Sequence, residues 1–410
     1  MSTPRNESLR ALARPAAGKA APILKKTWKF TKYMWKFRRK CGTLNHMLRE
    51  GGGVRMNRRV DALRASMEQA ALTHMLIQKP KNMRYLTGYT GEGCLLVSDA
   101  GVTILTDFRY VEQASIQAPG VKVVRYDAAH PRLGEIRQAL SSAGAHKLAV
   151  EEDEVTVEAY REMLRSLSGI ELTAAGGLVE KLRIVKDEDE IECIARACQI
   201  SCQAFEKLLG VMKAGMTERE IQLELDYTMR RLGAEDLAFN TIAAAGENGS
   251  LPHAIPSDHV VREGELLTLD FGARYGGYCA DMTRTVAFGA VSEELQKIYD
   301  TVLEAQLASL DMVGPGVVCS AVDRRARDII DKVYPGAFGH SLGHGVGLDI
   351  HEQPGLNARD QRELTPGHIV TVEPGVYIPG VGGCRIEDTV AITENGFRNL
   401  ISAPKELIHL

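Results

Sequence analysis

One nine-residue unit is written twice in this chain. Gly264-Glu-Leu-Leu-Thr-Leu-Asp270-Phe-Gly272 and Gly367-His-Ile-Val-Thr-Val-Glu373-Pro-Gly375 align position for position. Each is a largely apolar run between glycines with an acid at its seventh position. Each is followed by a second acid, Asp281 in CADMTR and Glu387 in CRIEDT. A unit repeated once constrains the fold to two halves packed about a pseudo-twofold axis. The four acids can then converge. Four buried carboxylates repel or hold protons unless roughly four positive charges accompany them, which two divalent ions would supply.

The first unit alone is weaker evidence. Leu266–Thr285 reads as a β-hairpin with Gly276-Gly277 at its tip. A four-residue loop at Arg274–Gly277 predicts Asp270 directly across from Asp281, with Cβ atoms about 5 Å apart. A cation between the two acids and a solvated turn both account for such a pair.

At 410 residues and 44% hydrophobic content the chain is long enough for two domains. Its net charge of −3 hides an asymmetry, because residues 1–55 hold 14 Lys and Arg against 2 acids. The acidic remainder argues against nucleic acid as a partner and suits a site that concentrates cations. Eight cysteines without a disulfide-framework spacing point to a reducing, cytoplasmic compartment. No run approaches the length of a membrane span.

The basic-aromatic segment Lys25–Lys40 precedes Gly51-Gly52-Gly53 and has no apolar signal core. Three readings stand: an acidic-membrane contact through Trp28 and Trp35, a nucleic-acid contact, and a disordered extension over 1–55, which is the expectation. From Met56 to residue 184, strands at Thr73–Gln78, Cys94–Ser98, Val102–Thr106 and Lys147–Val150 alternate with helices at Arg109–Ala118 and Val155–Ser168. This predicts a small α/β domain with no phosphate loop. Asp107-Phe-Arg109-Tyr110 reads as a structural loop in preference to a ligand contact.

The boundary falls near Leu182–Lys186, and residues 185–410 form the second domain. Asp187–Met212 predicts a core-facing helix carrying Cys193, Cys198 and Cys202, which read as structural cysteines before metal or redox groups. Thr217-Glu-Arg-Glu220 is a capping box for a helix ending at Gly233. A strand at Ala238–Ala244 and the loop Gly246–His253 lead into the hairpin. A helix from Ser292, a helix opened by Ser320-x-x-Asp323, and strands over 368–378 and 384–393 repeat the order. Helices then strands, twice, predicts an α+β domain with a curved, largely antiparallel sheet.

Between the repeats, Phe338–Glu352 carries His340, His344 and His351 among glycines that let the backbone approach something closely. A lone histidine is an ordinary core or surface group; three in one glycine-rich loop between acid-bearing repeats favour chemistry.

Asp270, Asp281, His344, Glu373 and Glu387, in the settings LDFG, ADMTR, GHGVGLDIHE, VEPGVY and RIED, resemble the five metal ligands of the pita-bread metallopeptidases. The similarity is greatest to the Xaa-Pro peptidases of bacteria, aminopeptidase P and prolidase, and it covers residues 56–410. MRYLTGYTG and TDFRY resemble the creatinase-type N-terminal domain of that family. The resemblance implies a pita-bread catalytic domain behind a creatinase-like α/β domain. It implies hydrolysis of the bond between an N-terminal residue and proline by a hydroxide bridging two divalent ions, with short proline-containing peptides as substrates. A homodimer or larger homo-oligomer is implied as well.

By similarity Asp270 holds one ion, His344 and Glu373 hold the other, and Asp281 and Glu387 bridge them. The oxygen-rich donor set favours manganese, with cobalt, zinc or iron compatible. Glu373 is implied as proton shuttle, and His253 and His351 as non-ligand groups that position substrate and stabilise the oxyanion. His340 would line the wall for the substrate's second residue. Arg385 would partner the carboxylates and reach substrate. A proline bond offers no N–H, so such a site must grip the amine, the carbonyl and the ring. Two alternatives share the fold: a creatinase-type amidinohydrolase, which lacks the metal set, and a non-catalytic binding module with eroded ligands.

Overall fold

The computed structural model describes residues 52–410, so the segment Lys25–Lys40 lies outside the described residues, as does the 1–55 extension up to residue 51. Helix α1 (Gly52–Gln69) opens ahead of Met56, and its buried Val60, Leu63 and Met67 recur at the spacing of one helical face. No helix among the described residues is long and apolar enough to cross a membrane.

Six strands follow: β1 (His74–Ile77), β2 (Cys94–Ser98), β3 (Gly101–Thr106), β4 (Lys122–Arg125), β5 (Lys147–Val150) and β6 (Glu171–Ala174). They form one sheet in the order β4-β3-β2-β1-β5-β6. The central β1, β2 and β3 run antiparallel, while β4, β5 and β6 join in parallel. Parallel neighbours need crossover connections. These contain α3 (Val111–Gln117), α4 (Arg132–Ser142) and α5 (Val157–Ser166), with the short α2 (Pro80–Thr87) between β1 and β2. Sequence patterning finds the four buried strands and passes over β4 and β6. Both are half-exposed edge strands with no buried residue, each placed only by one parallel neighbour.

Helix α6 (Leu178–Arg183) leads to α7 (Glu188–Leu209) and α8 (Glu218–Arg231). Asp187 with Glu190, and Thr217 with Glu220, form complete capping boxes. Of the expected strand at Ala238–Ala244 only the end is strand, as β8 (Ile242–Ala245); the two-residue β7 (Asp236–Leu237) lies before the expected span, and a 3-10 turn at Gly246–Ser250 follows β8. Then come β9 (Leu266–Phe271), β10 (Ala273–Tyr275), β11 (Tyr278–Cys279) and β12 (Met282–Ala287). Helices α9 (Glu293–Leu310) and α10 (Cys319–Val333) open the second half. It continues with β13 (Gly343–Gly345), β14 (Glu352–Leu356), β15 (Ile369–Val372), β16 (Gly375–Ile378), β17 (Gly382–Arg385), β18 (Asp388–Thr393) and β19 (Gly396–Asn399). The sheets β12-β9-β8 and β14-β13-β15-β18-β19 are antiparallel throughout, as the repeat predicts.

Three local expectations are corrected. Ser292 caps α9, but α10 starts at Cys319 behind Val318 with no side-chain cap. Ser320 and Asp323 lie inside the helix, where buried Asp323 instead accepts from Leu342 N and Arg327. The strands over 368–378 and 384–393 are each interrupted, at Glu373-Pro374 and at Ile386-Glu387. Proline has no N–H to give to a ladder, and the break frees the acids from strict alternation.

The third correction is the hairpin register. The turn is two residues long, Gly276-Gly277, with φ of 58° and 83°, the left-handed values that a tight hairpin turn favours. Tyr275 therefore pairs with Tyr278, and Asp270 faces Thr283. Asp281 and Asp270 are diagonal neighbours, not opposed. A slip of two residues keeps side chains on the same face, so the acids still share one. In the second half the pairs Val372 with Asp388 and Gly375 with Arg385, in two separate ladders, bracket Glu373 and Glu387.

His368, which opens the second repeat, is buried, accepts from Thr365 N at Nδ1 (3.1 Å), and pairs with Thr365 Oγ1 through Nε2. Burial first, then Lys186 and Arg362, push its pKa down to about 4. Below the ordinary value of about 6.5 the unfolded chain takes a proton that the folded chain refuses. His368 therefore costs no stability above about pH 6.5, and stability falls as pH drops toward 4, by about 1–2 kcal/mol after solvent screening. His368→Gln should shrink the difference between urea midpoints at pH 7 and pH 4.5. An unchanged difference would remove His368 from the acid response.

Candidate metal centre

The five candidate ligands occupy strand ends and breaks. Asp270 lies in β9, Asp281 just before β12, His344 in β13, Glu373 just after β15 and Glu387 just before β18. Along β9, Leu267, Leu269 and Phe271 enter the main core, so alternation turns Asp270 to the other face. The two halves meet beside Glu387: its N–H donates to Thr283 O (3.1 Å), and Arg284 Nη1 donates to Glu387 O (2.6 Å). Gly343 lets His344 stand close, because a Cβ there would lie 2.0 Å from Thr371 O.

Asp281, His344 and Glu387 offer donor atoms all within 4.8 Å of one another. His344 Nε2 also lies 3.3 Å from Glu373 Oε1 and 3.4 Å from Asp281 Oδ2. Its Nδ1 pairs with Gly345 O at 3.0 Å, which places the proton on Nδ1 and leaves Nε2 as the inward donor. Asp270 sits at the edge, held by Arg385 Nη2 at 2.6 Å.

Three carboxylate oxygens here are buried without any hydrogen-bond partner: Asp270 Oδ1, Asp281 Oδ1 and Glu387 Oε1. Burial is the largest cause pushing Asp281 up to about 7, and it also raises Asp270 and lifts Glu387 well above the carboxylate range. The neighbouring acids add to the rise at Asp281 and Glu387. Glu373 goes the other way. Burial opposes its ionisation, but the His344 hydrogen bond and charge, with His340 and Arg385, hold it at about 2. Burial likewise disfavours a charged His344, and its bonds to Asp281 and Glu373 raise it well above the histidine range. Orphaned hard oxygens beside one inward imidazole nitrogen fit first-row divalent cations, which would restore ionisation to the raised acids.

The remaining candidates line a cavity of about 1310 Å³ that also holds all four acids and His344. The His351 ring lies edge-on to His344, with centroids 4.3 Å apart. His340 pairs its Nδ1 with Ser341 O (2.8 Å) and its Nε2 with the Tyr377 hydroxyl (3.0 Å). Arg385 is buried and fully engaged: Nε reaches Thr283 Oγ1, Nη1 reaches Tyr377 Oη and Pro252 O, and Nη2 reaches Asp270. His253 is exposed to the cavity.

Sequence reasoning missed Tyr377 and Thr283. Thr283 Oγ1 donates to Glu387 Oε2 at 2.8 Å, and the two-residue turn would have revealed it opposite Asp270. Tyr377 stood in VEPGVY with no signal beyond its place in the repeat. Outside the site, Arg109 pairs with Asp107 and Glu92 on the surface, which fits a structural loop. Among the described residues all seven cysteines, Cys198 and Cys202 included, are free thiols.

An ion cluster supports the loop before β14. Arg183, 3% exposed at its side chain, donates to Asn82 Oδ1 (2.7 Å), Asp349 Oδ2 (2.6 Å) and Glu352 Oε1. Lys186 Nζ reaches Glu352 Oε2 at 3.2 Å, and Lys81 pairs with Asp349. His351 lies between these two acids in sequence.

An α+β half of antiparallel sheets, with a candidate hard-oxygen cation site in its cavity, is the arrangement of the pita-bread metallopeptidases. Residues 192–394 match the profile of metallopeptidase family M24, and residues 59–185 match the creatinase/prolidase N-terminal domain. An Xaa-Pro dipeptidase of Pyrococcus furiosus is 36% identical over 86% of this chain and 100% of its own length. The structure of an Xaa-Pro dipeptidase from Bacillus anthracis superposes with a TM-score of 0.84 at 41% identity, covering 87% of this chain and 100% of that one. That of an X-Pro aminopeptidase from Thermotoga maritima gives 0.78 at 36% identity, covering 84% and 100%. The chain belongs to metallopeptidase family M24 and is a peptide-bond hydrolase with a creatinase-type N-terminal domain.

Proposed function

We propose that this protein removes an N-terminal residue from proline, as an Xaa-Pro dipeptidase or aminopeptidase, with two divalent cations, manganese first among them. The observation that carries the reading is the set of three orphaned carboxylate oxygens facing one cavity with His344. The names of the similar proteins from Pyrococcus, Bacillus and Thermotoga supply the substrate class. Asp270, Asp281, His344, Glu373 and Glu387 would hold the ions. When bound, such ions polarise the scissile carbonyl and make water a nucleophile at neutral pH.

The chain's own groups do the rest. Glu373, ionised far below neutrality and steadied by Thr371 Oγ1 at 3.0 Å, accepts the proton of the attacking water. It then returns that proton to the prolyl nitrogen, which must be protonated to leave. Burial first, then the adjacent His344, lowers the pKa of His351, so its neutral imidazole offers an N–H to the carbonyl oxygen as negative charge develops. His253 approaches from the loop before β9, and His340 lines the side that takes the proline ring. Arg385 orients Asp270 and Tyr377 with its engaged guanidinium. Residues 56–184 serve as the N-terminal domain and 185–410 as the catalytic one. A homo-oligomer and a cytoplasmic location complete the proposal, to be read by light scattering and cell fractionation.

The decisive assay compares an Xaa-Pro dipeptide with an Xaa-Pro-Xaa tripeptide, with manganese or cobalt added, alongside metal content after gentle purification. Hydrolysis of at least one, with metal bound, is expected. Absence of both activities in protein that takes up no metal would return the amidinohydrolase and binding-module alternatives.

A further inference from the structure

We infer that Glu218 is the positioning residue for His253: its buried carboxylate clasps both ends of the loop 246–257 and so fixes where that imidazole stands over the cavity. The inference rests on the peptidase reading, in which His253 touches substrate.

Glu218 has no exposed surface, yet it forms no ion pair among the described residues. Its carboxylate is satisfied by neutral donors from one loop. Oε1 accepts from Ala245 N (2.7 Å) at the loop's entrance and from Asn248 Nδ2 (3.0 Å) inside it. Oε2 accepts from Asn248 Nδ2 (2.9 Å) and, at the loop's exit, from Ser257 N (2.9 Å) and Ser257 Oγ (2.7 Å). The clasp is reciprocal, because the N–H groups of Glu218 and Arg219 donate to His259 O and Ser257 O.

Helix α8 does not need Glu218 for its own start. Thr217 and Glu220 already complete the capping box. A buried carboxylate is costly unless every lone pair is used, and here all its side-chain bonds close the loop. The His253 ring forms no hydrogen bond among the described residues, so its place comes through the backbone. That backbone is held at Pro252 O by Arg385 Nη1 (3.2 Å) and at its base by Glu218. Misplacing a reacting group by about 1 Å can cost on the order of 10²-fold in rate.

A double-mutant cycle on the metal-loaded enzyme tests this with alanyl-proline as substrate. Glu218→Gln is expected to lower kcat at least about tenfold with wild-type metal content, because an amide NH₂ then meets the donors of Asn248 or Ser257. In a His253→Ala background the same substitution should change kcat by less than about twofold, since the group it positions is gone. Equal losses in both backgrounds would show that Glu218 acts on the fold at large and overturn the inference. Should Glu218→Gln fail to fold, Ser257→Ala enters the same cycle with the smaller loss expected from removing one hydroxyl. If wild-type enzyme cleaves only an Xaa-Pro-Xaa tripeptide, the cycle is run on that substrate; a wild-type enzyme that cleaves neither it nor alanyl-proline would reject the peptidase reading instead. Hydrogen exchange over 246–257 then decides the clasp: Glu218→Gln or Ser257→Ala must weaken protection there, and unchanged protection rejects it.

Discussion

Glu387→Gln is expected to abolish hydrolysis, lowering kcat by at least about 10³-fold, and to reduce bound divalent metal per chain. Asp281→Asn should behave alike. Glu387 is buried where the two halves meet, with Oε2 held by Thr283 and Oε1 unpartnered. Burial, then Asp281, Glu373 and Asp270, raise its pKa well above the ordinary range. The metal-free protein therefore already keeps this group close to neutral, and a neutral amide of the same shape removes little. The thermal midpoint of the metal-free variant should equal or exceed that of wild type, while the stabilisation gained on adding manganese shrinks. These opposite signs separate a lost ligand from a damaged fold. Activity above a tenth of wild type with wild-type metal stoichiometry would defeat the assignment.

His253→Ala and His351→Ala are expected to keep the metal and lose about 10²–10³ in kcat, the usual cost of one transition-state donor. His351 packs edge-on against His344 without belonging to the compact donor group, and His253 stands on a loop across the cavity. The effect should fall on kcat more than on KM, because the developing oxyanion gains more from these donors than the ground-state carbonyl does. If either variant purified without metal, that histidine would be a ligand and the five-residue set would be wrong.

Much of this site was legible because the repeat unit is also a structural unit. Aligning Gly264–Gly272 with Gly367–Gly375 located Asp270 and Glu373, and the return strands carried Asp281 and Glu387. What the alignment could not supply was register. Gly276 and Gly277 in sequence fit either a two- or a four-residue loop, and choosing the longer one set Asp281, not Thr283, opposite Asp270. The error was harmless to the site only because it was even. The halves also differ: Asp270 sits in a ladder opposite Thr283, whereas Glu373 and Glu387 sit at the breaks between two ladders. Edge strands β4 and β6 were missed for a different reason, since their placement depends on parallel neighbours distant in sequence. Buried polar groups such as Arg183 and Glu218 were illegible as well. Their partners lie on remote loops, and a charged residue in a helical stretch reads as solvated by default.

The Arg183 cluster bears on how this protein can be cut and recombined. The sequence boundary near residues 184 and 185 looks like a joint, yet Arg183 on its N-terminal side supplies charge to Asp349 and Glu352 far beyond it. A fragment starting at 185 would keep both acids and lose their shared cation, leaving Lys186 to serve Glu352 and nothing from its own sequence neighbourhood to serve Asp349. A chimera that exchanged N-terminal domains among relatives would stay sound only if the incoming segment ended in an arginine at this position, with a partner for it like Asn82. The first domain thus ends, in electrostatic terms, inside the second.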